Sequence, residues 1–261
     1  MRASLLIPTL NEGESIAHVL RTFREASERA NTGIFASDPV HWEVIVIDGA
    51  STDETVARAR AEGAQAIVEP RKGYGRAYLT GFARSTGEYL ATLDGDATYP
   101  AERVPQLLHY LIDQELDFLS GDRLAELDPK AMTMEHRIGN GLLNLLLRVA
   151  FHRFLRPVAG HSIRDSQSGM WVFRRRLLER LELTQEGMAF SEELKLEVVI
   201  RGFRFEEVPV RYAERWGRPK LSTWRDGRRN FSYLLTKRLA LEKELRARAR
   251  REAARAHPSA P

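Results

Sequence analysis

Two aspartates stand one residue apart at Asp94-Gly95-Asp96, directly after a stretch typical of a buried strand. Their carboxylates repel each other, so both stay ionised at low cost only when exposed or beside a cation. Divalent cations of this hard type take oxygen ligands, and Mg²⁺ typically binds one or two carboxylates together with substrate phosphates. Gly95 lets the backbone bend so that both side chains can face one ion. Ordinary turns also collect these residues, and it is the position after a strand that favours a metal site.

Two further acids, Glu12 and Asp48, also lie at or just past the ends of predicted strands. If Asp48 were simply an acid near the start of a helix, it would stabilise that helix by less than about 1 kcal/mol. Because it ends a buried strand, we expect a binding role instead.

The elements that must position these acids alternate regularly through the first half of the chain. Strands are predicted at 4–8, 43–48, 66–69, 88–94 and 117–121. Helices are predicted at 13–30, 52–62, 74–85 and 101–112, with Ser51 or Thr52 capping the second. Such alternation predicts an α/β fold with a parallel sheet covered on both faces. Ligands bind beyond the carboxyl ends of strands in such sheets, which is where these acids should meet.

The second half is less regular, with helices predicted at 135–154, 191–201 and 223–251 and strands at 171–173 and 204–210. The last helix has apolar residues along one face, namely Phe231, Leu234, Leu235, Leu241 and Leu245. Such a stripe usually packs against the body of the protein. Membrane contact is the second interpretation, and the basic residues on the opposite face favour it.

Composition excludes several classes of protein. The 261 residues are 43% hydrophobic and 29% charged, which indicates a soluble globular chain and not a disordered one. The absence of Cys excludes disulfides, thiolate metal sites and thiol catalysis. It fits a reducing compartment, so we expect a cytoplasmic protein. We find no secretory signal, and no apolar stretch approaches the roughly 20 residues of a spanning helix.

The positive charge is concentrated near the C-terminus. The formal net charge is +4, but residues 225–255 contain eleven basic and four acidic residues, so this span carries +7 and the rest carries −3. A basic tail can meet an anionic membrane surface or nucleic acid, and a solvated helix with a frayed end is an equal alternative.

An ordered set of motifs resembles family 2 glycosyltransferases with the GT-A fold. The resemblance covers about residues 3 to 225 and is strongest for the branch of dolichyl-phosphate mannose synthases and polyprenyl-phosphate glycosyltransferases. The motifs are, in chain order, Pro8–Glu12, Asp48–Thr55, Arg71–Ala77, Asp94–Pro100, Gly121–Arg123, His136–Asn140, Asp165–Gly169, Glu193 and Arg215–Leu221. It implies one GT-A domain at 1–225, with a nucleotide-sugar half at 1–122 and an acceptor half at 123–225. Residues 226–261 then form a basic C-terminal helix and tail.

The resemblance also implies roles for individual residues. Asp94, Gly95 and Asp96 would form the site for Mg²⁺ or Mn²⁺, with Thr98 as a further candidate ligand that offers only a hydroxyl. The nucleoside would be contacted by Pro8, Leu10, Asn11, Glu12, Val46 and Asp48, and Lys72 would lie in a loop that faces the donor. Two departures stand out: Gly49 replaces a second acid, and Pro219 replaces a Ser. A simple surface turn is an even alternative for Lys72 and the Gly73-Tyr74-Gly75 segment.

Cations are placed by the resemblance near both phosphates. Arg123 and Arg137 would face the acceptor phosphate, and Arg215 and Lys220 the donor diphosphate. Arg suits two-point contact with phosphate, whereas Lys acts as a point charge. Arg218 is a further candidate near the phosphates. The alternative is that several of these Arg residues form surface ion pairs of little energetic value, and it applies more to Arg218 than to Arg137.

The need for a catalytic base depends on the acceptor. An alcohol acceptor requires a base within hydrogen-bond reach, for which Glu193 or Asp165 are the candidates. A phosphate acceptor is already an anion and requires positioning and charge neutralisation instead.

The resemblance implies metal-dependent, inverting transfer of mannose or glucose from GDP-mannose or UDP-glucose to a polyprenyl or dolichyl phosphate. The protein would meet lipid peripherally, through 142–155 and the terminal helix. A soluble phosphorylated or hydroxyl acceptor is the alternative within enzymes. Nucleic-acid binding through the basic tail is less expected, because no aromatic and basic residues interleave there. A non-catalytic sugar-nucleotide sensor is disfavoured by the intact pair of aspartates.

Overall fold

The computed structural model describes residues 1–128, 130–155, 163–217 and 223–256. The strands in this part of the chain are β1 (Arg2–Thr9), β2 (His41–Asp48), β3 (Gln65–Val68), β4 (Tyr89–Thr92), β5 (Phe118–Leu127), β6 (Trp171–Arg174) and β7 (Phe205–Tyr212). The α-helices are α1 (Ile16–Thr32), α2 (Thr55–Ala61), α3 (Tyr74–Arg84), α4 (Val104–Asp113), α5 (Met134–Leu155), α6 (Phe190–Ile200) and α7 (Thr223–Ala256). Short 3₁₀ turns precede α4 and follow β6.

One seven-stranded sheet joins these strands in the order β3-β2-β1-β4-β6-β5-β7. All neighbours pair in parallel except β6, which runs antiparallel to both β4 and β5. The mostly parallel sheet is therefore confirmed. The predicted division at 122/123 falls inside β5, so both halves share this sheet.

The reversed direction of β6 decides where the site can form. Trp171, the first residue of β6, pairs with Thr92, the last residue of β4. The loop that precedes β6 therefore lies at the same edge of the sheet as Asp94 and Asp96, which follow β4.

Apolar side chains fill both faces of the sheet, as expected for strands buried on both sides. On one face α1 and α4 contribute Val19, Phe23 and Leu107. On the other face the core is built from α3, α5, α6 and α7 with aromatic side chains such as Tyr78 and Phe190.

The predicted start of α2 is wrong by three residues. The helix begins at Thr55, and neither Ser51 nor Thr52 caps it. The Ser51 hydroxyl donates to Asp48 instead, while the Thr55 amide donates to Asp53 Oδ1 at 3.0 Å. A short polar loop thus competes successfully with the helix for these groups.

α5 and α7 pack against each other and each leaves an apolar face uncovered by the described residues. On α7 the predicted stripe is split: Leu234 and Leu241 are buried, while Phe231, Leu235 and Leu245 are exposed. On α5 the exposed side chains are Met134, Ile138, Leu142, Leu145 and Val149. None of the helices within the described ranges is both long enough and apolar enough to traverse a bilayer.

Candidate active site

The loops after β1 and β2 are tied together by polar contacts. The Asn11 amide donates to Ser51 Oγ at 2.7 Å, and Asn11 Oδ1 accepts from the Thr52 amide at 2.8 Å. Asn11 has a φ of 51°, a left-handed conformation that Asn tolerates better than most residues. Pro8 is partly exposed, and Leu10 and Asn11 are exposed. The predicted nucleoside-binding loop therefore presents accessible groups at the carboxyl edge of the sheet.

Asp48 is fully buried and its carboxylate serves the loop that follows β2. Oδ1 accepts from the Ser51 amide at 2.8 Å, and Oδ2 accepts from the hydroxyls of Ser51 at 2.5 Å and Thr9 at 3.1 Å. In this arrangement Asp48 shapes the loop beside the site. Contact with a base or ribose stays a prediction.

Val46 lies inside β2 and is fully buried in the core. The prediction that it contacts the nucleotide is corrected here, because a residue with no exposed surface can only support the strand beneath the site.

The two central aspartates lie close to each other in the loop after β4. Asp94 Oδ1 accepts a hydrogen bond from the Tyr74 hydroxyl at 3.1 Å. Asp96 Oδ1 accepts from the Thr98 amide at 3.1 Å and from the Thr98 hydroxyl at 2.6 Å. Thr98 therefore holds Asp96 in place, and the prediction of a direct metal ligand at Thr98 gains no support from this geometry.

The electrostatics of the pair fit a divalent cation. Burial, and then the neighbouring charge of Asp96, raise the pKa of the Asp94 carboxyl to about 7. Two crowded carboxylates are hard oxygen donors that gain most from a shared cation. Within the described ranges no cluster of three or more acids or histidines is placed to hold a metal. A cation here would therefore need further oxygen ligands from water or substrate phosphate.

Arg215 reaches this pair from the segment after β7. Its Nη2 contacts Glu12 Oε1, and its Nη1 lies 3.4 Å from Asp96 Oδ2. The same segment is fastened by the Trp216 amide, which donates to the Asp96 carbonyl at 3.1 Å, and by stacking of Trp216 on His18 at 4.7 Å. The prediction that Arg215 lies where a donor diphosphate binds is consistent with this position.

Two glycines are required by close approach at the site. A Cβ on Gly95 would lie 2.7 Å from Thr9 Cγ2, and one on Gly169 would lie 2.2 Å from the Tyr74 hydroxyl. Gly169 thus allows the loop before β6 to pack directly against Tyr74 and Asp94.

On the acceptor side Arg123 forms a buried ion pair with Asp165 and is not exposed to solvent. Its Nε and Nη2 each donate to the Asp165 carboxylate at 2.8 Å, and both residues are buried. Burial alone would raise the pKa of Asp165, but the Arg123 charge holds it below its usual range. Asp165 is therefore a poor base. The charge of Arg123 is balanced by Asp165, and the expectation that Arg123 faces an acceptor phosphate stays a prediction.

Glu193 is also engaged elsewhere. Its Oε2 accepts from the amides of Thr184 and Gln185 at 2.9 and 2.8 Å, and its Oε1 accepts from the Thr184 hydroxyl at 2.8 Å. Both oxygens brace the segment before α6, so the prediction that Glu193 acts as a base is not supported by its placement.

Two of the remaining predicted cations lie on exposed surface. Arg137 is exposed on α5, and Lys72 is exposed just before α3. Arg218 and Lys220 lie outside the described residues.

Comparison with known families decides the class of protein. Residues 4–182 match the model of glycosyl transferase family 2, which is more than half of the chain. The chain belongs to glycosyl transferase family 2. The predicted glycosyltransferase enzyme and its family are therefore confirmed.

Relatives of this glycosyltransferase occur in the archaeon Haloferax volcanii. The chain is 33% identical over 224 residues to a dolichyl-phosphate hexose transferase, covering 86% of this chain and 88% of that one. It is 34% identical over 234 residues to the low-salt glycan biosynthesis hexosyltransferase Agl6, covering 89% of this chain but 52% of that one. The chain thus spans about half the length of Agl6. These relatives support the predicted polyprenyl-phosphate branch of the family.

The fold of this glycosyltransferase is shared with glucosyl-3-phosphoglycerate synthase from Mycobacterium tuberculosis. A crystal structure of that enzyme with Mn²⁺, UDP and glucosyl-3-phosphoglycerate superimposes with a TM-score of 0.69 at 23% identity, covering 91% of this chain and 79% of that one. A second structure, with Mg²⁺ and UDP, gives a TM-score of 0.68 at 22% identity, again covering 91% and 79%. The GT-A fold is confirmed by this likeness.

Sequence reasoning missed side chains that position the site of this glycosyltransferase. Tyr74 contacts Asp94, and buried Lys195 contacts the Asp165 carbonyl and, at 3.4 Å, Glu207 Oε1. Tyr74 follows a noted glycine, which was a usable signal. Lys195 also had a usable signal in the sequence, because a Lys on an apolar helix face needs a polar partner. Glu192 and Asn230, which contact Gln167, had none, because their partner lies far away in the sequence.

Proposed function

We propose that this protein is a metal-dependent, inverting glycosyltransferase that moves mannose or glucose from GDP-mannose or UDP-glucose to a polyprenyl or dolichyl phosphate. The donor half supports the first part of this proposal. Asp94 and Asp96 would hold Mg²⁺ or Mn²⁺, which when bound neutralises charge on the departing nucleoside diphosphate. Both ions accompany UDP in the synthase structures that share this fold.

Protein side chains supply the rest of the donor chemistry. Arg215 adds a positive charge next to Asp96, and it can exchange its contact with Glu12 for contact with phosphate. Tyr74 and Thr98 orient the two aspartates, so little reorganisation is needed when charge develops on the leaving group.

The exposed apolar stripe on α5 is the observation that carries the lipid acceptor. Its five side chains recur every three or four residues, so they share one face of the helix, and each is more than half exposed. Exposed Arg137 and Arg148 lie on the same helix. A helix with an apolar face flanked by basic residues can lie at the surface of an anionic membrane, with its apolar face inserted among the lipids.

The exposed side of α7 extends this surface. Phe231, Leu235, Leu239 and Leu245 are exposed, and so are basic residues that include Arg228, Lys243 and Arg246. Basic residues near an anionic bilayer contribute about 1 kcal/mol each. Peripheral contact through α5 and α7 would bring a phosphate at the membrane surface toward the loop before β6. The cytoplasmic membrane face and the absence of nucleic-acid binding stay predictions.

An acceptor panel tests this proposal. Radiolabelled GDP-mannose and UDP-glucose are offered with polyprenyl phosphate in anionic vesicles, and separately with soluble phosphorylated and alcohol acceptors. We expect label in the lipid fraction, abolished by EDTA and restored by Mn²⁺ or Mg²⁺. Transfer only to a soluble acceptor, or transfer insensitive to EDTA, would overturn the lipid or the metal part respectively.

A matched pair of variants separates docking from folding. Leu142→Gln with Leu145→Gln changes the exposed stripe, and Thr236→Gln with Ala240→Gln changes exposed positions of α7 outside its apolar stripe. The first pair should reduce vesicle binding at least tenfold while the second changes it less than twofold. Equal vesicle binding by both pairs would refute docking through α5.

A further inference from the structure

The loop at 165–169, which precedes β6, is held against the metal-site aspartates. The Gly169 carbonyl accepts from Thr92 Oγ1 at 2.7 Å, and its amide donates to the Tyr99 hydroxyl at 2.7 Å. A Cβ built on Gly169 would stand 3.4 Å from Asp94 Oδ1. Any shift of this loop therefore changes the space next to Asp94.

Gln167 in this loop is fixed at both ends of its amide. Its Nε2 donates to Glu192 Oε1 on α6, and its Oε1 accepts from Asn230 Nδ2 on α7 at 2.9 Å. Glu192 is fully buried and Asn230 is only 3% exposed. The side chain of Gln167 thus joins the loop to two different helices.

The neighbouring residue repeats this arrangement with α5. The Ser166 amide and hydroxyl both donate to Asn144 Oδ1, at 3.0 and 2.7 Å, and Asn144 is also buried. The two helices that carry the exposed apolar faces therefore each insert one buried asparagine toward consecutive residues of the same loop.

Stability does not explain an asparagine at these positions. Asn favours the helix less than Leu does, and burying an amide costs free energy unless its hydrogen bonds are made. Asn230 Oδ1 has no partner within the described residues, so this cost is incompletely offset. What Asn230 provides is a donor aimed at Gln167.

We infer that Asn230 is a positioning residue, which acts through Gln167 to hold the 165–169 loop beside Asp94. The C-terminal helix is then part of the catalytic architecture and not only a docking element. The kinetic test of this inference uses substrates that rest on the proposed function, whereas the hydrogen-exchange test needs no substrate.

A double-mutant cycle tests this inference on the full chain, using Asn230→Leu, Gln167→Leu and the double variant. We expect Asn230→Leu to lower kcat at least tenfold with less than a threefold change in KM for the donor sugar. The double variant should be no slower than Gln167→Leu, because residues acting through one contact are not additive. Effects that multiply, or a loss smaller than threefold in Asn230→Leu, would overturn the inference.

Tyr233→Phe is the matched control, since Tyr233 lies one turn further along α7. Its largely buried hydroxyl has no partner within the described part of the chain. This variant should keep kcat within twofold, and an equal loss in both variants would mean that Asn230 only stabilises α7. Asn230→Ser serves as a milder variant where Asn230→Leu fails to fold.

Hydrogen exchange of the 163–170 segment gives a readout that needs no acceptor. Asn230→Leu should raise its exchange rate at least tenfold while Tyr233→Phe leaves it unchanged; unchanged exchange in both would contradict positioning. If the wild-type protein transfers sugar to no lipid phosphate, the proposed function fails, and this measurement still decides the role of Asn230.

Discussion

The donor and acceptor sides of the site are built by different means. On the donor side the hydrogen bonds around the acids are mostly local: Asp48 binds Ser51, Asp53 binds Thr55 and Asp96 binds Thr98. On the acceptor side the partners are distant in sequence. Arg123 binds Asp165 across 42 residues, and Gln167 binds Asn230 across 63.

This difference teaches how each side should respond to substitution. Local turns at strand ends hold Asp48, Asp53 and Asp96. Contacts from Tyr74 and Arg215 complete the donor side. The acceptor-side loop depends on buried polar contacts from β5, α5, α6 and α7, so it should be coupled to global stability.

The largest expected effect is a loss of activity without a loss of stability. Asp96→Ala should lower the transfer rate roughly a thousandfold, because the loss of several kcal/mol of metal-dependent charge stabilisation corresponds to that factor. Circular dichroism and the urea midpoint should stay close to those of the wild type. Unaltered turnover would refute the metal assignment.

The opposite pattern is expected on the acceptor side. Arg123→Met leaves the Asp165 carboxylate buried without its main partner, which should cost about 3–5 kcal/mol of unfolding free energy. Urea unfolding measures this loss. Arg123→Met with Asp165→Asn is the control and should recover part of it, whereas equal destabilisation by the single and double variants would show that the pair is not the cause.

Metal affinity should depend on pH on the donor side. Burial raises the pKa of Asp94 to about 7, so a proton competes with the cation below that pH. Mn²⁺ should bind about tenfold more weakly for each pH unit below 7 and reach a plateau above it. Titration followed by electron paramagnetic resonance checks this, with Asp94→Asn as the variant that removes the dependence. Affinity independent of pH between 5.5 and 8 would contradict it.

The same raised pKa affects stability of the metal-free protein, with a defined sign. The folded state binds the Asp94 proton more tightly than the unfolded state, so this group lowers stability as the pH rises from about 4 to about 7. Thermal unfolding of Asp94→Asn should show a shallower decline over this window than the wild type. A steeper decline of stability in Asp94→Asn than in the wild type would contradict a raised pKa at Asp94.

The smallest expected effect is a local one. Ser51→Ala removes a hydroxyl that donates to Asp48 and accepts from the Asn11 amide, and it should lower the unfolding free energy by about 1 kcal/mol. Thr52→Ala is the control, because its hydroxyl makes one longer contact, 3.3 Å to Asn11. Differential scanning calorimetry should give a lower melting temperature for Ser51→Ala than for Thr52→Ala. The reverse order would show that Asp48 does not organise this loop.

The same contrast explains what the sequence could predict. The strands, most helices and the pair Asp94 and Asp96 follow from periodicity and from the rule that ligands bind at strand ends. Engagement of Arg123 by Asp165 and of Gln167 by Asn230 depends on side-chain contacts between distant segments, and Glu193 binds Thr184 in an irregular segment that precedes its own helix. No local pattern encodes these, so residue types alone suggested a free phosphate-binding cation and a free base.

A crystal grown with Mn²⁺ and a nucleoside diphosphate tests the central claim most directly. The account predicts an anomalous peak between the carboxylates of Asp94 and Asp96, bridged to the diphosphate, with Arg215 turned toward phosphate. Absence of any peak there, with nucleotide bound and Arg215 still paired with Glu12 and Asp96, would contradict it.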